Sequence, residues 1–344
     1  MDKKNIVGLL PQDFSSWFEE RGEPAYRARQ VAFWLYQRGI FCFEDMTDLP
    51  VNLRRALTGS FQIGELQLKE ALRSQDGTEK FLFTLCDGNA IEAVLIPHRA
   101  RNTLCISSQV GCPVGCPFCA TGRAGFKRNL NFQEIVEEVW LVERERHLKV
   151  DNLVFMGMGE PFLNYNQFAK ALRVMNAREG LRIGARKITV STVGVPEAIV
   201  QFGQDFKEVN LAVSLHASDN DLRSLLVPLN RVYPLSSILK AVREYIVLTN
   251  RRVTVEYTLW RDINDGAKDA HGLAHLLAGM LVHVNLIPGN QISGSSFHPV
   301  SSERIERFVR ILRESRINVT VRKSRGREIQ ASCGELYRIQ EGKT

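Results

Sequence analysis

The 344-residue chain contains no long apolar run, no internal repeat and no low-complexity segment. Its most apolar stretch, residues 273–287, is interrupted by His275, His283 and Asn285, whereas a membrane-spanning helix needs roughly 18 apolar residues in succession. The apolar run at residues 6–10 is too short for the hydrophobic part of a secretory signal. Glycine (25 residues) and proline (12 residues) are at ordinary levels, which excludes collagen-like chains. We therefore expect a globular, soluble, cytoplasmic protein with no membrane partner.

Acidic residues are outnumbered by basic ones. The sequence has 45 Lys and Arg against 38 Asp and Glu, so the formal net charge is +7 and the pI is about 9.1. A surface with this balance favours polyanionic partners. Residues 93–133 and 315–327 contain no acidic residue, although each stretch holds several basic side chains. These are Arg99, Arg101, Arg123, Lys127 and Arg128 in the first stretch, and Arg316, Arg322, Lys323, Arg325 and Arg327 in the second.

Cysteine is sparse and unevenly distributed. The chain has seven, an odd number, and a chain of this length needs no disulfide framework to fold. In a reducing compartment, clustered cysteines indicate metal or catalytic chemistry. Four of the seven are clustered: Cys105, Cys112, Cys116 and Cys119. Cys333 lies near the end of the chain, and the isolated Cys42 and Cys86 are interpreted as structural.

The hydrophobic pattern divides the first hundred residues into two parts. Residues 10–60 show helical periodicity. Residues 61–98 consist of short alternating runs separated by Asp76-Gly77 and Asp87-Gly88, which predicts an antiparallel β meander. We expect a small helical domain at 1–60, a meander that links it to the rest at 61–98, and a larger domain at 99–344.

Beyond residue 99, strand-like runs alternate with segments of helical periodicity. Such alternation over about 240 residues implies parallel strands with covering helices. We therefore predict an α/β fold, a partial or complete (β/α) barrel, with its chemistry at the carboxyl ends of the strands. The predicted strands begin at Leu104, Leu153, Lys187, Val209, Val253, Val284 and Val319.

The strongest chemical signal is the string Cys112-Pro-Val-Gly-Cys116-Pro-Phe-Cys119, which follows a strand predicted over residues 104–110. Glycine lets such a loop fold back on itself, so three thiolates can converge on one metal centre. Structural zinc sites take four protein ligands, and ferredoxins supply four cysteines for each cluster. Three thiolates on a four-iron cluster leave one iron open, as reductive cleavage of S-adenosylmethionine (SAM) requires. The alternative is a zinc site completed by Cys105.

The cysteine string resembles that of the radical-SAM superfamily, and its surroundings resemble one family within it, the RlmN/Cfr radical-SAM RNA adenosine methyltransferases. The resemblance covers nearly the whole chain, including residues 24–30 and 46–50. It is carried by Cys105-Ile-Ser-Ser-Gln-Val-Gly-Cys112, Phe118-Cys-Ala-Thr-Gly122, Gly157-Met-Gly-Glu-Pro161 with Asn164, Ser191-Thr-Val-Gly194, Ser214-Leu-His216 and Arg325-Gly-Arg-Glu-Ile-Gln-Ala-Ser-Cys333-Gly334.

The resemblance implies that residues 1–60 are an accessory domain for RNA recognition, for which composition alone allows any small packing module. It implies that residues 99–344 are the catalytic domain, a radical-SAM barrel with one [4Fe–4S] cluster held by Cys112, Cys116 and Cys119. It also implies a set of SAM contacts near the predicted strand ends. By residue type alone, Glu160 could accept a hydrogen bond from an amino group, whereas His216 would more often be a hydrogen-bonded core histidine. The implied SAM contacts are Gly159, Glu160, Ser191, Ser214, Leu215, His216 and Asn290. The family usually has proline after that asparagine, where this chain has Gln291.

The resemblance further implies two catalytic thiols. Cys333 would accept a methyl group as a thiolate nucleophile and then join it, as a carbon radical, to an adenine ring. Cys105 would attack the Cys333 sulfur, release the product and leave a transient disulfide. Glu92 matches the family position of the proton acceptor. Cys105 is the alternative for that role, and by residue type alone Glu92 could equally be a solvated residue of its strand.

The implied reaction is methylation of carbon 2 of adenosine in 23S rRNA, at the peptidyl transferase centre, and in tRNA near the anticodon. Val110 and Pro161 favour this branch over the carbon-8, Cfr-type reaction, and the two basic stretches favour an RNA substrate. The implied partners are RNA and an electron donor such as flavodoxin or ferredoxin, with the protein itself a monomer. The sequence is also compatible with a non-catalytic, metal-bearing RNA-binding protein and with a radical-SAM enzyme that acts on a protein or small molecule.

Overall fold

A ten-stranded sheet lies at the centre of the protein, and most of its parallel strands are joined by helices. The structure, a computed structural model, describes residues 3–99, 101–290, 296–322 and 325–336. Gln291 and Lys323, both singled out above, lie outside the described residues. In the part of the chain that is described, no helix is long and apolar enough to cross a membrane.

The strands of the described residues are short and alternate with helices in the second half of the chain. In chain order they are β1 (Lys4–Asn5), β2 (Phe61–Gln62), β3 (Gln67–Arg73), β4 (Glu79–Thr84), β5 (Ala90–His98), β6 (Arg101–Ile106), β7 (Gln109–Gly111), β8 (Phe126–Asn129), β9 (Asn152–Phe155), β10 (Ile188–Thr192), β11 (Asn210–Ser214), β12 (Val253–Leu259), β13 (Val282–Pro288) and β14 (Val319–Val321).

The α-helices fall into an N-terminal group of three and a later group that follows the cysteine loop. They are α1 (Pro11–Glu19), α2 (Tyr26–Phe33), α3 (Val51–Ser60), α4 (Ala120–Arg123), α5 (Phe132–Glu145), α6 (Tyr165–Asn176), α7 (Pro196–Asp205), α8 (Asn220–Leu226), α9 (Leu235–Thr249), α10 (Ala267–Leu277) and α11 (Ser302–Glu314).

Seven strands of the central sheet are parallel and lie side by side in chain order, from β6 through β9 to β14. They begin within three residues of the predicted positions, because apolar runs mark strands that are buried on both faces. In the described residues, the two ends of the sheet, β14 and β3, are not hydrogen-bonded to each other. The predicted barrel is therefore partial rather than complete.

The predicted meander is present as β3, β4 and β5, which pair antiparallel. Asp76 and Asp87 form the two turns, since each side chain accepts a hydrogen bond at 3.0 Å from the backbone N–H two residues later. β5 then pairs antiparallel with β6. The meander thus continues the barrel sheet, and one hydrophobic core extends from Ile6 to Leu336.

The N-terminal helices pack against α5, the first long helix of the barrel. α2 continues into a π-helical segment, Trp34–Arg38, which Gly39 ends in the left-handed conformation (φ 63°). Trp140 of α5 donates from Nε1 to the carbonyl oxygen of Leu35 at 2.9 Å. Glu137, also on α5, accepts from two backbone N–H groups of the chain that leaves the helical region.

The strand predicted over residues 104–110 is wrong as a single element. β6 ends at Ile106, and β7 lies outside the main sheet, where it pairs with β8. The chain turns here because the buried carboxylate of Glu138 accepts the Ser107 N–H at 3.0 Å and the Met158 carbonyl oxygen accepts the Ser108 N–H at 2.8 Å. The cysteine string therefore follows β7 and not a barrel strand.

Candidate active site

A cavity opens at the carboxyl ends of the parallel strands, where the predicted site residues come from separate parts of the chain. We call it the loop cavity, because the cysteine loop forms one wall. Leu215 is buried and does not line the cavity, and Glu92 and Cys105 lie elsewhere. The predicted residues that do line it are Cys112, Cys116, Cys119, Gly159, Glu160, Ser191, Ser214, His216, Asn290 and Cys333.

The cysteine loop folds tightly because it contains glycine where no side chain fits. Gly111 has φ +75°, and a Cβ on it would collide with the carbonyl oxygen of Gly125. The Cys112 N–H donates to that same oxygen at 3.0 Å, which closes the loop. A Cβ on Gly122 would lie 2.8 Å from the Cys116 nitrogen. The backbone therefore brings the three thiols onto one wall of the cavity.

Burial keeps the three loop thiols protonated in the absence of a cation. It raises the pKa of Cys112 to about 12 and the pKa of Cys116 and of Cys119 above the usual range, and neighbouring thiols raise them further. Buried thiols with such pKa values become thiolates only when a metal replaces the protons. The donor set therefore fits a metal centre.

The positions of the candidate ligands distinguish a site for a single metal ion from a site for a cluster. Among the described residues, no three Cys, His, Asp or Glu side chains are placed to hold a single metal ion. An iron–sulfur cluster binds each thiolate through a separate iron, so its ligands need not meet at one point. Cys105 lies in a different cavity, so the four-thiol zinc alternative lacks its fourth ligand here.

Glu160 is a buried carboxylate at the end of β9, held from two sides. Its oxygens accept from the N–H of Phe162 at 3.0 Å and the N–H of Val193 at 2.7 Å. Burial raises its pKa to about 7. A ligand amino group in the cavity would supply the positive charge that favours the carboxylate form.

The glycines before Glu160 have a packing role as well as lining the cavity. A Cβ on Gly157 would lie 2.6 Å from the carbonyl oxygen of Ile106, and one on Gly159 (φ +102°) would lie 2.6 Å from Cβ of Gln109. Of these two glycines, only Gly159 was singled out from the sequence, as an implied SAM contact. Both glycines also let β9 pack closely on the chain between β6 and β7.

His216 is a neutral side chain with its proton on Nε2. Its Nδ1 accepts from the Thr258 N–H at 3.0 Å, and burial lowers its pKa to about 3. The backbone at His216 has φ 60°, a left-handed conformation held by Asn264, which donates to the His216 carbonyl at 2.8 Å. The ring is therefore both a hydrogen-bonded core histidine and a wall of the cavity that can donate to a ligand.

Two polar atoms on the cavity wall are buried without a partner among the described residues. They are Oδ1 of Asn290 and Nε1 of Trp260. Buried polar atoms are nearly always satisfied, so a bound ligand is the natural partner for both. This supports the prediction for Asn290. Trp260 was missed, since an isolated tryptophan after a strand gives no signal of ligand binding.

A second cavity adjoins the first, and we call it the thiol-pair cavity. It is lined by Cys105 of β6 and by Cys333, although 228 positions (333 − 105) separate them in the sequence. Burial raises the pKa of Cys105 to about 12, the Cys333 sulfur raises it further, and the Arg322 guanidinium opposes both effects. Cys333 and Arg322 line both cavities. All seven cysteines are free thiols, so no disulfide joins the pair.

Glu92 lies on β5 as a buried residue rather than a solvated one. Its carboxylate is 3.0 Å from Nζ of Lys80, and the exposed fractions of the two side chains are 1% and 5%. Nζ of Lys80 also donates to the carbonyl oxygen of Gln330 at 3.3 Å, near Cys333 in sequence. Glu92 is not among the residues that line either cavity.

The first basic stretch is less positive in space than in the sequence. Arg128 forms ion pairs with Asp87 at 2.5 Å and Glu134 at 2.8 Å. In the second stretch, Arg322 is part of both cavities, and Arg325 donates to the Pro97 carbonyl oxygen at 2.7 Å. The fold thus pairs one arginine of the first stretch, Arg128, with two carboxylates from outside that stretch.

Comparison with known proteins agrees with the fold and with the family resemblance. Residues 106–274 match the model of the radical SAM superfamily, and residues 4–63 match that of the ribosomal RNA large subunit methyltransferase N-terminal domain. The chain is 44% identical to a probable dual-specificity RNA methyltransferase RlmN of Geobacillus kaustophilus, over 96% of this chain and 92% of that protein. It is 46% identical to the protein of the same description in Thermotoga neapolitana, over 97% of each. A crystal structure of a radical SAM methyltransferase from Sphaerobacter thermophilus superposes with a TM-score of 0.92 at 44% identity, over 96% of this chain and 98% of that one.

Proposed function

Because the chain belongs to the RlmN family of radical-SAM RNA methyltransferases, we propose that it methylates carbon 2 of adenosine in 23S rRNA and in tRNA. The observation that carries the proposal is the position of Cys333, on the boundary of two cavities. On one side it faces the three loop thiols and the predicted SAM contacts, and on the other it faces Cys105. This is the position that a thiol needs if it receives a group in one cavity and delivers it in the other.

Membership of the radical-SAM superfamily implies SAM and a [4Fe–4S] cluster, and the loop cavity contains residues that fit both. When bound, they supply a methyl group and a 5′-deoxyadenosyl radical. Cys112, Cys116 and Cys119 would lose their protons and hold the cluster. Glu160 would accept hydrogen bonds from the SAM amino group, and His216 would donate from Nε2. Gly159, Ser191, Ser214 and Asn290 line the cavity and are the other proposed SAM contacts, whereas the predicted contact Leu215 does not line it.

Cys333 and Cys105 would act in sequence. The methyl group on the Cys333 sulfur would lose a hydrogen atom and bond to carbon 2, so that RNA is held covalently, and the adduct radical would then return one electron to the cluster while carbon 2 loses its proton. The Cys105 thiolate would attack the Cys333 sulfur, the carbon–sulfur bond would break with its electron pair on carbon, and that carbon would take up a proton and leave as the methyl group of the product. The resulting disulfide is transient and requires a reductant. We propose Cys105 as the proton acceptor, because it lines the thiol-pair cavity, whereas Glu92, the residue predicted for this role, is paired with Lys80 and lines neither cavity.

The proposed partners follow from the charge and from the chemistry. An excess of seven positive charges suits RNA, and an electron donor such as flavodoxin or ferredoxin supplies the electron that cleaves SAM. We propose that the protein acts as a monomer in the cytoplasm.

The test is mass spectrometry of nucleosides from ribosomal and transfer RNA incubated with the anaerobically reconstituted protein, SAM and a reductant. We expect 2-methyladenosine. The protein with Cys86, an exposed thiol, changed to alanine is the matched control and should give the same product. If 8-methyladenosine appeared instead, the carbon-2 assignment would be wrong. SAM cleavage without any methylated adenosine would contradict an RNA substrate.

A further inference from the structure

Arg223, on α8, is a buried cation whose side-chain hydrogen bonds go to neutral groups. Its exposed fraction is 1%. Nε donates to the Leu215 carbonyl oxygen at 3.0 Å, Nη1 to Oδ1 of Asn230 at 2.9 Å, and Nη2 to the carbonyl oxygens of Ser214, at 3.2 Å, and Val193. Each of these acceptors is an uncharged amide oxygen.

Arg223 has no carboxylate within ion-pair distance among the described residues. The buried Lys80, in contrast, has Glu92 at 3.0 Å. Burial lowers the pKa of Arg223 to about 10, so the guanidinium stays charged at neutral pH. A buried charge without an opposite charge is strongly unfavourable, so a retained one indicates a missing anion.

The cysteine loop, which packs against the end of α8, provides a group that can become that anion. Leu226 and Val227, at and just beyond the end of α8, pack in one apolar cluster with Cys116. Val193 and Ser214, whose carbonyl oxygens accept from Nη2 of Arg223, line the loop cavity together with Cys116. Glu160, an acidic side chain of the same cavity, already accepts from two backbone N–H groups.

We infer that Arg223 is the buried counter-charge of the cysteine loop and raises the reduction potential of the cluster that the loop holds. The inference rests on the proposed function, since it requires a cluster bound by the loop cysteines. Reduction adds one electron to a group that already carries negative thiolates. A fixed cation in a surrounding of low dielectric constant therefore favours the reduced form over the oxidised form. Arg223 lines neither cavity, so it would act on the cluster through its charge and not by contact with a substrate.

The test measures the midpoint potential of the reconstituted protein by titration with dithionite and redox mediators, monitored by electron paramagnetic resonance. We expect Arg223→Gln, which removes the charge, to shift the potential to more negative values. Arg223→Lys keeps the charge and should stay near the unmodified protein. The matched control is Arg251→Gln, because Arg251 donates to Asn210 at the amino-terminal end of β11, the end opposite the cavity. That variant loses the same charge and should leave the potential unchanged.

A second variant keeps the experiment decisive if Arg223→Gln fails to fold or to take up the cluster. Asn230→Asp places a carboxylate on Nη1 of Arg223 and keeps an acceptor at that position. We expect the same negative shift, because the guanidinium then has a local anion. An intact cluster at the unmodified potential, in either variant, would overturn the inference. Absence of a cluster from the unmodified protein would instead overturn the proposed function, so the two failures are distinguishable.

Discussion

The cysteine loop and the Cys105–Cys333 pair are both sets of buried or half-buried thiols, but the chain assembles them differently. The three loop cysteines lie within eight positions, and glycines at 111 and 122 bring them together locally. The pair joins β6 to a segment near the end of the chain, and only the folded barrel brings both to one cavity. The loop is therefore suited to a fixed metal centre, and the pair to thiols that meet and separate during a reaction.

The largest effect should come from breaking the loop. Cys116→Ala removes one of the three proposed ligands, so we expect loss of the cluster and of all SAM cleavage, because only two of the proposed thiolates remain. Iron content and release of 5′-deoxyadenosine measure the two effects. The exposed Cys86, changed to alanine, is the control. A Cys116→Ala protein that kept its iron and still cleaved SAM would remove this cysteine from the ligand set.

Breaking the pair at Cys333 should abolish methylation and spare the loop. Cys333→Ala should retain its cluster, because Cys333 is not one of the three loop thiols, but it should carry no methyl group. Mass spectrometry of tryptic peptides after incubation with SAM detects S-methylcysteine, and iron analysis reports the cluster. Methylation at another residue of this variant would contradict the assigned role of Cys333.

Breaking the pair at Cys105 should stop the reaction one step later. Cys105→Ala leaves Cys333 without the thiol that attacks its sulfur, so a covalent protein–RNA adduct should accumulate. A band shift that survives denaturation and disappears after nuclease digestion identifies the adduct. Normal release of methylated RNA from this variant would show that Cys105 does not resolve the intermediate.

The loop geometry should be sensitive to a single methyl group. Gly111→Ala introduces a Cβ at φ +75° that meets the Gly125 carbonyl oxygen, so we expect a loss of about 1–3 kcal/mol in the free energy of unfolding. Guanidinium unfolding of the metal-free protein measures this loss. Gly88→Ala is the matched control: Gly88 has φ +79° but no atom within 4 Å of the new Cβ, so only backbone strain is added. Equal losses in the two variants would mean that the collision at Gly111 is relieved at no cost.

The smallest effect concerns the charge state of the pair. Because burial raises the pKa of Cys105 to about 12 and only the thiolate reacts, its alkylation by iodoacetamide should accelerate roughly tenfold for each pH unit between pH 8 and 11. The Arg322 charge opposes this rise in pKa, so Arg322→Gln should slow the reaction further at each pH. Peptide mass spectrometry follows the modification in folded, metal-free protein, with Cys86 as the internal reference. An alkylation rate independent of pH over this range would contradict the burial of the thiol.

Much of the fold was predictable because apolar periodicity reflects which residues are buried. The parallel strands begin within three residues of their predicted positions, and the Asp-Gly turns of the meander lie where expected. The break between β6 and β7 was not predictable, since it depends on Glu138, a residue of a later helix that binds the backbone of Ser107. The same holds for Arg128, whose charge is matched by carboxylates from outside its own stretch.

The sequence by itself determined the cysteine loop, because its spacing and glycines act over a few covalent bonds and need no other part of the chain. It also determined the alternation of strands and helices, since the residues that a strand or a helix buries recur along the sequence with the period of that element. Only the tertiary structure decided that Cys333 lies between two cavities, that Glu92 is paired with Lys80, and that the buried Arg223 donates to amide oxygens, with no carboxylate in ion-pair distance in the described part of the chain. These features depend on which distant segments of the chain pack together in the low-dielectric interior, and no local sequence pattern predicts that.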